Sequence, residues 1–246
     1  MICERAQLRI GVLFALPQER KPFRPIEAAQ QNLIVHCSGA GRENAARGAQ
    51  QLLAQGAQYL IVCGFGGGLV EEVMPGTLLL ADQVLDGAAS SPQVYKPNVE
   101  LFWQAQQVAP PQVCLQIGPL ATVNRVLLNS AEKSAFLQKL SAIYPEKPLG
   151  IDMESFGAAQ VAAAHNCPWI VVRAITDGHR DSMPFDFNVL TDTQGRIRPF
   201  PLLLAVLKQP QNLPGLLLLG KRAANAAKML ALYLQNLVAV LQEPLP

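Results

Sequence analysis

The sequence predicts an α/β fold, and three observations carry the prediction. Short β-branched apolar runs alternate with Ala- and Gln-rich helical stretches. The runs are apolar throughout, as in parallel strands buried on both faces. Gly-rich or acidic segments follow several of them, where open α/β sheets place their ligands.

Each element follows in order. Residues 8–16 (LRIGVLFAL) form a first, buried strand. Arg5 and Arg9 ahead of it imitate a secretion signal, but Pro17, Gln18, Glu19 and Arg20 stand where small cleavage-site residues belong. Strands are expected over 32–38 and 58–64, with a helix over 43–55 between them. Further strands fall at 76–85, 113–120 and 168–176, and helices at 99–108, 130–140 and 154–165. From Pro199 the pattern is helical and broken by Pro201, Pro210 and Pro214, which predicts two or three helices packed on the sheet or around the site. Residues 202–220 are very apolar, but Lys208, Gln209, Pro210, Gln211 and Asn212 cut them short of the roughly 20 residues of a membrane span.

Composition narrows the partners. The 246 residues are 50% hydrophobic and 15% charged, and 20 Lys plus Arg against 18 Asp plus Glu give a net charge of +2 with no block of one sign. That is not the footprint of a nucleic-acid binder, so small molecules or other subunits are expected. Cys3, Cys37, Cys63, Cys114 and Cys167 form no CxxC pair and read as reduced, mostly structural thiols. His36, His165 and His179 lack metal-ligand spacing, so no metal is expected. A single domain over 1–246 and a cytoplasmic location follow.

The chemistry-bearing residues lie at strand ends. Cys63-Gly-Phe-Gly-Gly-Gly-Leu69 follows a strand, and its glycines either let backbone N–H groups approach a ligand or make a tight turn. It lacks the third glycine of a dinucleotide loop. Gly150-Ile-Asp-Met-Glu-Ser155 opens a helix, so Asp152 reads as a helix N-terminal charge. Glu154 and Asp177 are brought to one rim by the βα crossover between them.

These segments resemble the nucleoside phosphorylase and methylthioadenosine/adenosylhomocysteine nucleosidase superfamily over about residues 8–180. Gly11 to Glu19 is similar to its first strand and catalytic-Glu turn, Gly64 to Leu69 to its GxAGGL loop, and Pro75-Gly-Thr77 to the strand start that follows. Asp152-Met-Glu-Ser155 with Arg173-Ala-Ile-Thr-Asp177 is similar to its ME and R-x-x-[ST]-D signatures.

The resemblance implies a three-layer α/β/α sandwich with a mixed central sheet, a homodimer, and cleavage of a purine N-glycosidic bond. Asp177 would give a proton to purine N7, its carboxyl kept protonated by burial in an apolar site. Glu154 would bind the ribose hydroxyls, Met153 would lie under the sugar, and Gly66, Gly67 and Phe65 would line the site. Arg173 would hold Glu154 in place. Glu19 would activate the attacking water, the alternative being a solvated charge beside Arg20 and Lys21.

Phe65 departs from the pattern, because phosphorylases use a hydroxyl there to bind phosphate. Water is therefore the expected nucleophile and no cofactor is needed, with inorganic phosphate required if Arg20 or Arg42 binds it. The tail from Pro199, with its Leu-rich run, resembles the C-terminal extension of the hopanoid-associated branch, which removes adenine from adenosylhopane. Such a tail would line a slot for a lipid-bearing 5′ group, touch a membrane surface, or form a dimer interface. The expected substrate is an adenine nucleoside, lipid-linked in that branch. The alternatives are a phosphate-dependent purine nucleoside phosphorylase, a nucleosidase acting on methylthioadenosine or adenosylhomocysteine, and a non-catalytic nucleoside-binding module. His179 is the histidine nearest the site in sequence, and Asn124 and Arg125 sit in a polar loop that could approach the base.

Overall fold

The computed structural model describes residues 8–242, so Cys3 and Arg5 lie outside it. Strand β1 (Ile10–Phe14) is buried at every position and pairs in parallel with β2 (Leu33–Cys37) and β3 (Tyr59–Gly68). Helices α1 (Pro17–Arg20) and α2 (Arg24–Ala28) follow β1, and α3 (Arg42–Ala54) follows β2. Strands β4 (Leu78–Asp86), β5 (Val94–Tyr95), β6 (Leu115–Thr122), β7 (Gly150–Asp152) and β8 (Trp169–Asp177) complete the sheet.

Five of these strands close into a ring. β3 pairs with β8, β8 with β4, β4 with β6, β6 with β7, and β7 returns to β3. The sheet is mixed, as the resemblance implies: β4 runs antiparallel to β8 and β5, and β7 antiparallel to β3. Only residues 69–77 separate β3 from β4, too few for the crossover of a dozen or more residues that a parallel course needs.

Helices cover both faces. α3 and α6 (Ser155–Ala164) share one core with Leu13, Leu60, Val62 and Val171 of the sheet. Their backbones meet so closely that a Cβ on Gly157 would lie 2.2 Å from the Arg42 carbonyl oxygen. On the other face α4 (Val99–Gln107) packs beside α9 (Leu213–Gln242) over Ile10, Val12 and Val172. Asn98 and Asn129 cap α4 and α5 (Ser130–Ser141), each side chain accepting an orphan N–H of the first turn. Short α7 (Phe187–Leu190) and α8 (Pro199–Lys208) lead into α9.

The tail differs from its expectation in one respect. Gln209–Asn212 does end α8, but Pro214 sits at the start of α9, where a missing N–H costs nothing, and the helix then runs unbroken. By length and composition the segment Pro210–Gln242 is long and apolar enough to cross a membrane. Half of its most apolar window is instead buried inside the protein, and Leu230, Leu234, Leu237 and Leu241 belong to the core. Tyr233 anchors it by donating to the Ala105 carbonyl at 2.7 Å.

Candidate active site

The parallel strands β1, β3 and β8 end at one cavity of about 1250 Å³, which also takes the segments after β6 and β7. Glu19, Phe65, Gly66, Gly67, Met153, Glu154 and Asp177 all line it. Glu19 stands on α1 at the end of β1, where Oε2 accepts from the backbone N–H groups of Ala15 (2.9 Å) and Leu16 (2.8 Å) and Oε1 from that of Phe65 (2.8 Å). It is 2% exposed, which excludes the reading of a solvated charge. Burial raises its pKa above the ordinary carboxylate value, opposed by the Arg173 charge and the three backbone donors.

Glu154 precedes α6, and its side chain reaches α3. Its Oε1 accepts from the Gly41 N–H at 2.8 Å, at the N-terminus of that helix, and Oε2 from the Met153 N–H at 3.3 Å. Burial, with Asp152 and Glu19 nearby, raises its pKa to about 7 against the pull of Arg173.

Arg173 lies behind the wall, fully buried on β8. Its closest carboxylate is Asp152, at 2.6 Å from Nη2, whereas Nη1 stands 3.5 Å from Glu154. Asp152 is thus the principal partner of the guanidinium as well as a helix-terminal charge, accepting from the Ser155 N–H at the start of α6 at 3.0 Å and from Thr122 Oγ1 at 2.7 Å. Support of Glu154 by Arg173 is longer-range than the sequence suggested. Gly64 is glycine because of this arrangement: a Cβ there would lie 2.6 Å from Arg173 Nη1 and 2.8 Å from Glu19 Oε1.

The Gly-rich segment is no loop. Gly64 to Gly68 are the second half of β3, pairing with β8, and a Cβ on Gly67 would lie 3.0 Å from Asp177 Oδ2. At Asp177 the expectation of a carboxyl in purely apolar surroundings is corrected. Oδ2 is 2.5 Å from Lys133 Nζ, a lysine 1% exposed on α5 that also donates to the Gly178 carbonyl at 2.6 Å; Oδ1 accepts from Thr176 Oγ1 at 3.0 Å. Nothing in the sequence signals Lys133, which sits in the first turn of a polar helix.

Other candidates are dispersed. His179 is within 3.3 Å of Ser134 Oγ and 3.4 Å of Ser130 Oγ on α5 and does not line the cavity. Asn124 and Arg125 do line it. Arg20 is engaged with Glu27, and Arg42 with Asp86 at 2.8 Å, so each proposed phosphate-binding cation already holds a carboxylate. Among the described residues no group of three or more His, Cys, Asp or Glu is placed to hold a metal ion. Cys37, Cys63, Cys114 and Cys167 are all free thiols.

A mixed closed sheet whose strand ends gather four buried carboxyls, those of Glu19, Asp152, Glu154 and Asp177, around one cavity is the arrangement of an enzyme that moves protons and stabilises positive charge. A family model described as the phosphorylase superfamily matches residues 16–208, and the chain belongs to that superfamily. It is 27% identical over 202 residues to a 5′-methylthioadenosine/S-adenosylhomocysteine nucleosidase of Haemophilus influenzae (strain PittEE), covering 70% of this chain and 86% of the relative. A futalosine hydrolase of Streptomyces coelicolor is 27% identical over 152 residues, or 57% of this chain and 65% of the relative. The crystal structure of the Helicobacter pylori 5′-methylthioadenosine/S-adenosylhomocysteine nucleosidase with butyl-thio-DADMe-Immucillin-A superposes with a TM-score of 0.71 at 18% identity, covering 95% of this chain and 99% of that one.

Proposed function

We propose that the protein hydrolyses the N-glycosidic bond of an adenine nucleoside whose 5′ position carries a large apolar group, with adenosylhopane as the particular substrate. The cavity carries this reading. Its carboxyl end holds Glu19, Glu154 and Asp177, and α9 walls the remainder with Leu216, Leu219, Ala223, Ala224 and Ala227. Its volume exceeds the roughly 300–1,000 Å³ usual for small-ligand pockets. The relatives named above act on nucleosides, which supports cleavage of this bond.

In this reading water attacks C1′ and gives a proton to Glu19, whose raised pKa makes it a stronger base than an exposed carboxylate. The C1′–N9 bond breaks, its electron pair passes to the purine, and N7 takes a proton through Asp177, whose carboxylate receives it from the hydrogen-bonded Lys133 ammonium, which is left as the neutral amine. Glu154 accepts from the ribose hydroxyls and sets negative charge beside the developing oxocarbenium ion, with Met153 under the sugar. Gly66, Gly67 and Phe65 supply the wall around base and sugar, and Arg173 steadies the carboxylates from behind.

The chain acts as one domain, with its core over about 8–180 and the extension over 199–246. A cytoplasmic homodimer in contact with the membrane that holds its substrate completes the reading, and no cofactor takes part. A phosphorolytic alternative draws on Lys21, a cation on the cavity wall near Glu19. Incubation with adenosine, methylthioadenosine and an adenosylated lipid, with and without phosphate, separates these. Adenine release from the lipid without phosphate is expected, and release that requires phosphate overturns hydrolysis.

A further inference from the structure

Exposed apolar side chains are concentrated in one place. Nine of the fourteen large hydrophobics that stand exposed among the described residues fall between Val189 and Leu218. On α8, Phe200, Leu203, Leu204 and Leu207 recur at the spacing of a single helical stripe, and no residue of this helix is buried. Leu213, Leu217 and Leu218 continue the exposed surface onto the first turns of α9. Phe200 and Leu207 are each 68% exposed, more than isolated surface apolar residues explain when they stand in such a row.

The charge around this surface is predominantly positive, with Asp192 the acidic residue beside Arg196 and Arg198 at its start. From Thr193 to Gln242 the chain holds no Asp or Glu, but it holds Arg196, Arg198, Lys208, Lys221, Arg222 and Lys228. Arg222 is paired with Asp181 and Lys228 lines the cavity, whereas Arg196, Arg198, Lys208 and Lys221 are exposed beside the apolar stripe. The same segment reaches the cavity: Leu216 and Leu219 line it while Leu217 and Leu218 face outward, and exposed Ile197 also lines it.

We propose that the α8–α9 face docks on the surface of a bilayer containing anionic lipid, its leucines and Phe200 entering the acyl boundary and its four exposed cations lying at the phosphates. Long cationic side chains extend readily to that level. A second copy of the chain fits the face less well. Packed on itself, the segment sets an excess of cations against like charge with Asp192 alone to offset them, whereas anionic headgroups supply the opposite sign in full. The proposal deepens the functional reading, because docking sets the α9 wall of the cavity beside the phase in which a lipid-linked nucleoside resides. Its test nevertheless needs no substrate.

The experiment is flotation of the full chain with vesicles of phosphatidylcholine alone or with added phosphatidylglycerol, at low and high salt. Binding to the anionic vesicles, weakened by salt, is expected. Phe200→Ser with Leu207→Ser should reduce it by roughly tenfold or more. Arg198→Glu with Lys208→Glu should remove the preference for anionic over neutral vesicles. Circular dichroism and adenine release from a water-soluble nucleoside should stay at the wild-type level in both variants, since none of the four side chains lines the cavity. Absence of wild-type binding, or equal binding to both vesicle types, overturns the proposal. So does a dimer that the Phe200/Leu207 variant converts to monomer while vesicle binding is unchanged. Failure of adenine release in the wild type, by contrast, counts against the functional reading and leaves the docking result standing.

Discussion

Lys133 Nζ donates to Asp177 Oδ2 across 2.5 Å, with both side chains out of solvent. The lysine comes from the first turn of α5 and the aspartate from the last residue of β8, so two separate elements converge on the carboxyl assigned to the base. Lys133→Met leaves that carboxylate buried without its cation. Breaking a buried pair from one side costs about 3–5 kcal/mol, and adenine release should fall with it. Denaturant unfolding of Lys133→Met, Asp177→Asn and the double variant should show the double losing less than the sum of the singles. Strict additivity would mean that the two groups do not interact.

Gly64→Ala sets a methyl group against Arg173 Nη1 and Glu19 Oε1, both under 3 Å from the new carbon. Overpacking of this kind costs about 1–3 kcal/mol. Displacement of Glu19 should also lower the rate of adenine release on the order of 10²-fold. Thermal unfolding and single-turnover assays measure the two effects, and a variant with wild-type rates would remove Glu19 from the chemistry.

Folding stability should depend on pH with a definite sign. Glu154, raised to about 7 by burial and neighbouring carboxylates, and Glu19, also raised, hold their protons more tightly folded than unfolded. The native state therefore binds more protons between the ordinary carboxylate pKa of about 4.3 and pH 7, and their contribution to stability falls as pH rises through that window and levels above it. Urea midpoints across this range should show the decline, and Glu154→Gln should flatten it. An equal slope in the variant would contradict the assignment.

Leu219→Trp fills part of the cavity wall that α9 provides. KM should rise for a nucleoside with a long apolar 5′ group and stay within about twofold for adenosine. Equal effects on both substrates would show that this wall serves folding rather than selection.

The sequence made most strands and helices visible because they are buried apolar runs with clear periods. It hid β7, which has three residues and exists only through pairing with β3 and β6. Gly64 to Gly68 looked like a loop because glycine disfavours strands; pairing with β8 overrides that preference and sets the carboxyls at contact distance. Glu19, Glu154 and Asp177 were legible from motif order, and all three reach one cavity. Their supports were not. Asp152 is legible as a helix-end charge, but its pairing with Arg173 is not, and Lys133 acquires meaning only when α5 lies across the end of β8.

In the proposed mechanism Asp177 delivers the proton as the purine leaves. Single-turnover adenine release from Asp177→Asn, with nucleoside affinity measured by calorimetry on the same protein, decides it. A loss of about 10²- to 10⁴-fold in rate, with affinity close to wild type, is the expected result. Release at the wild-type rate from a correctly folded variant would contradict it.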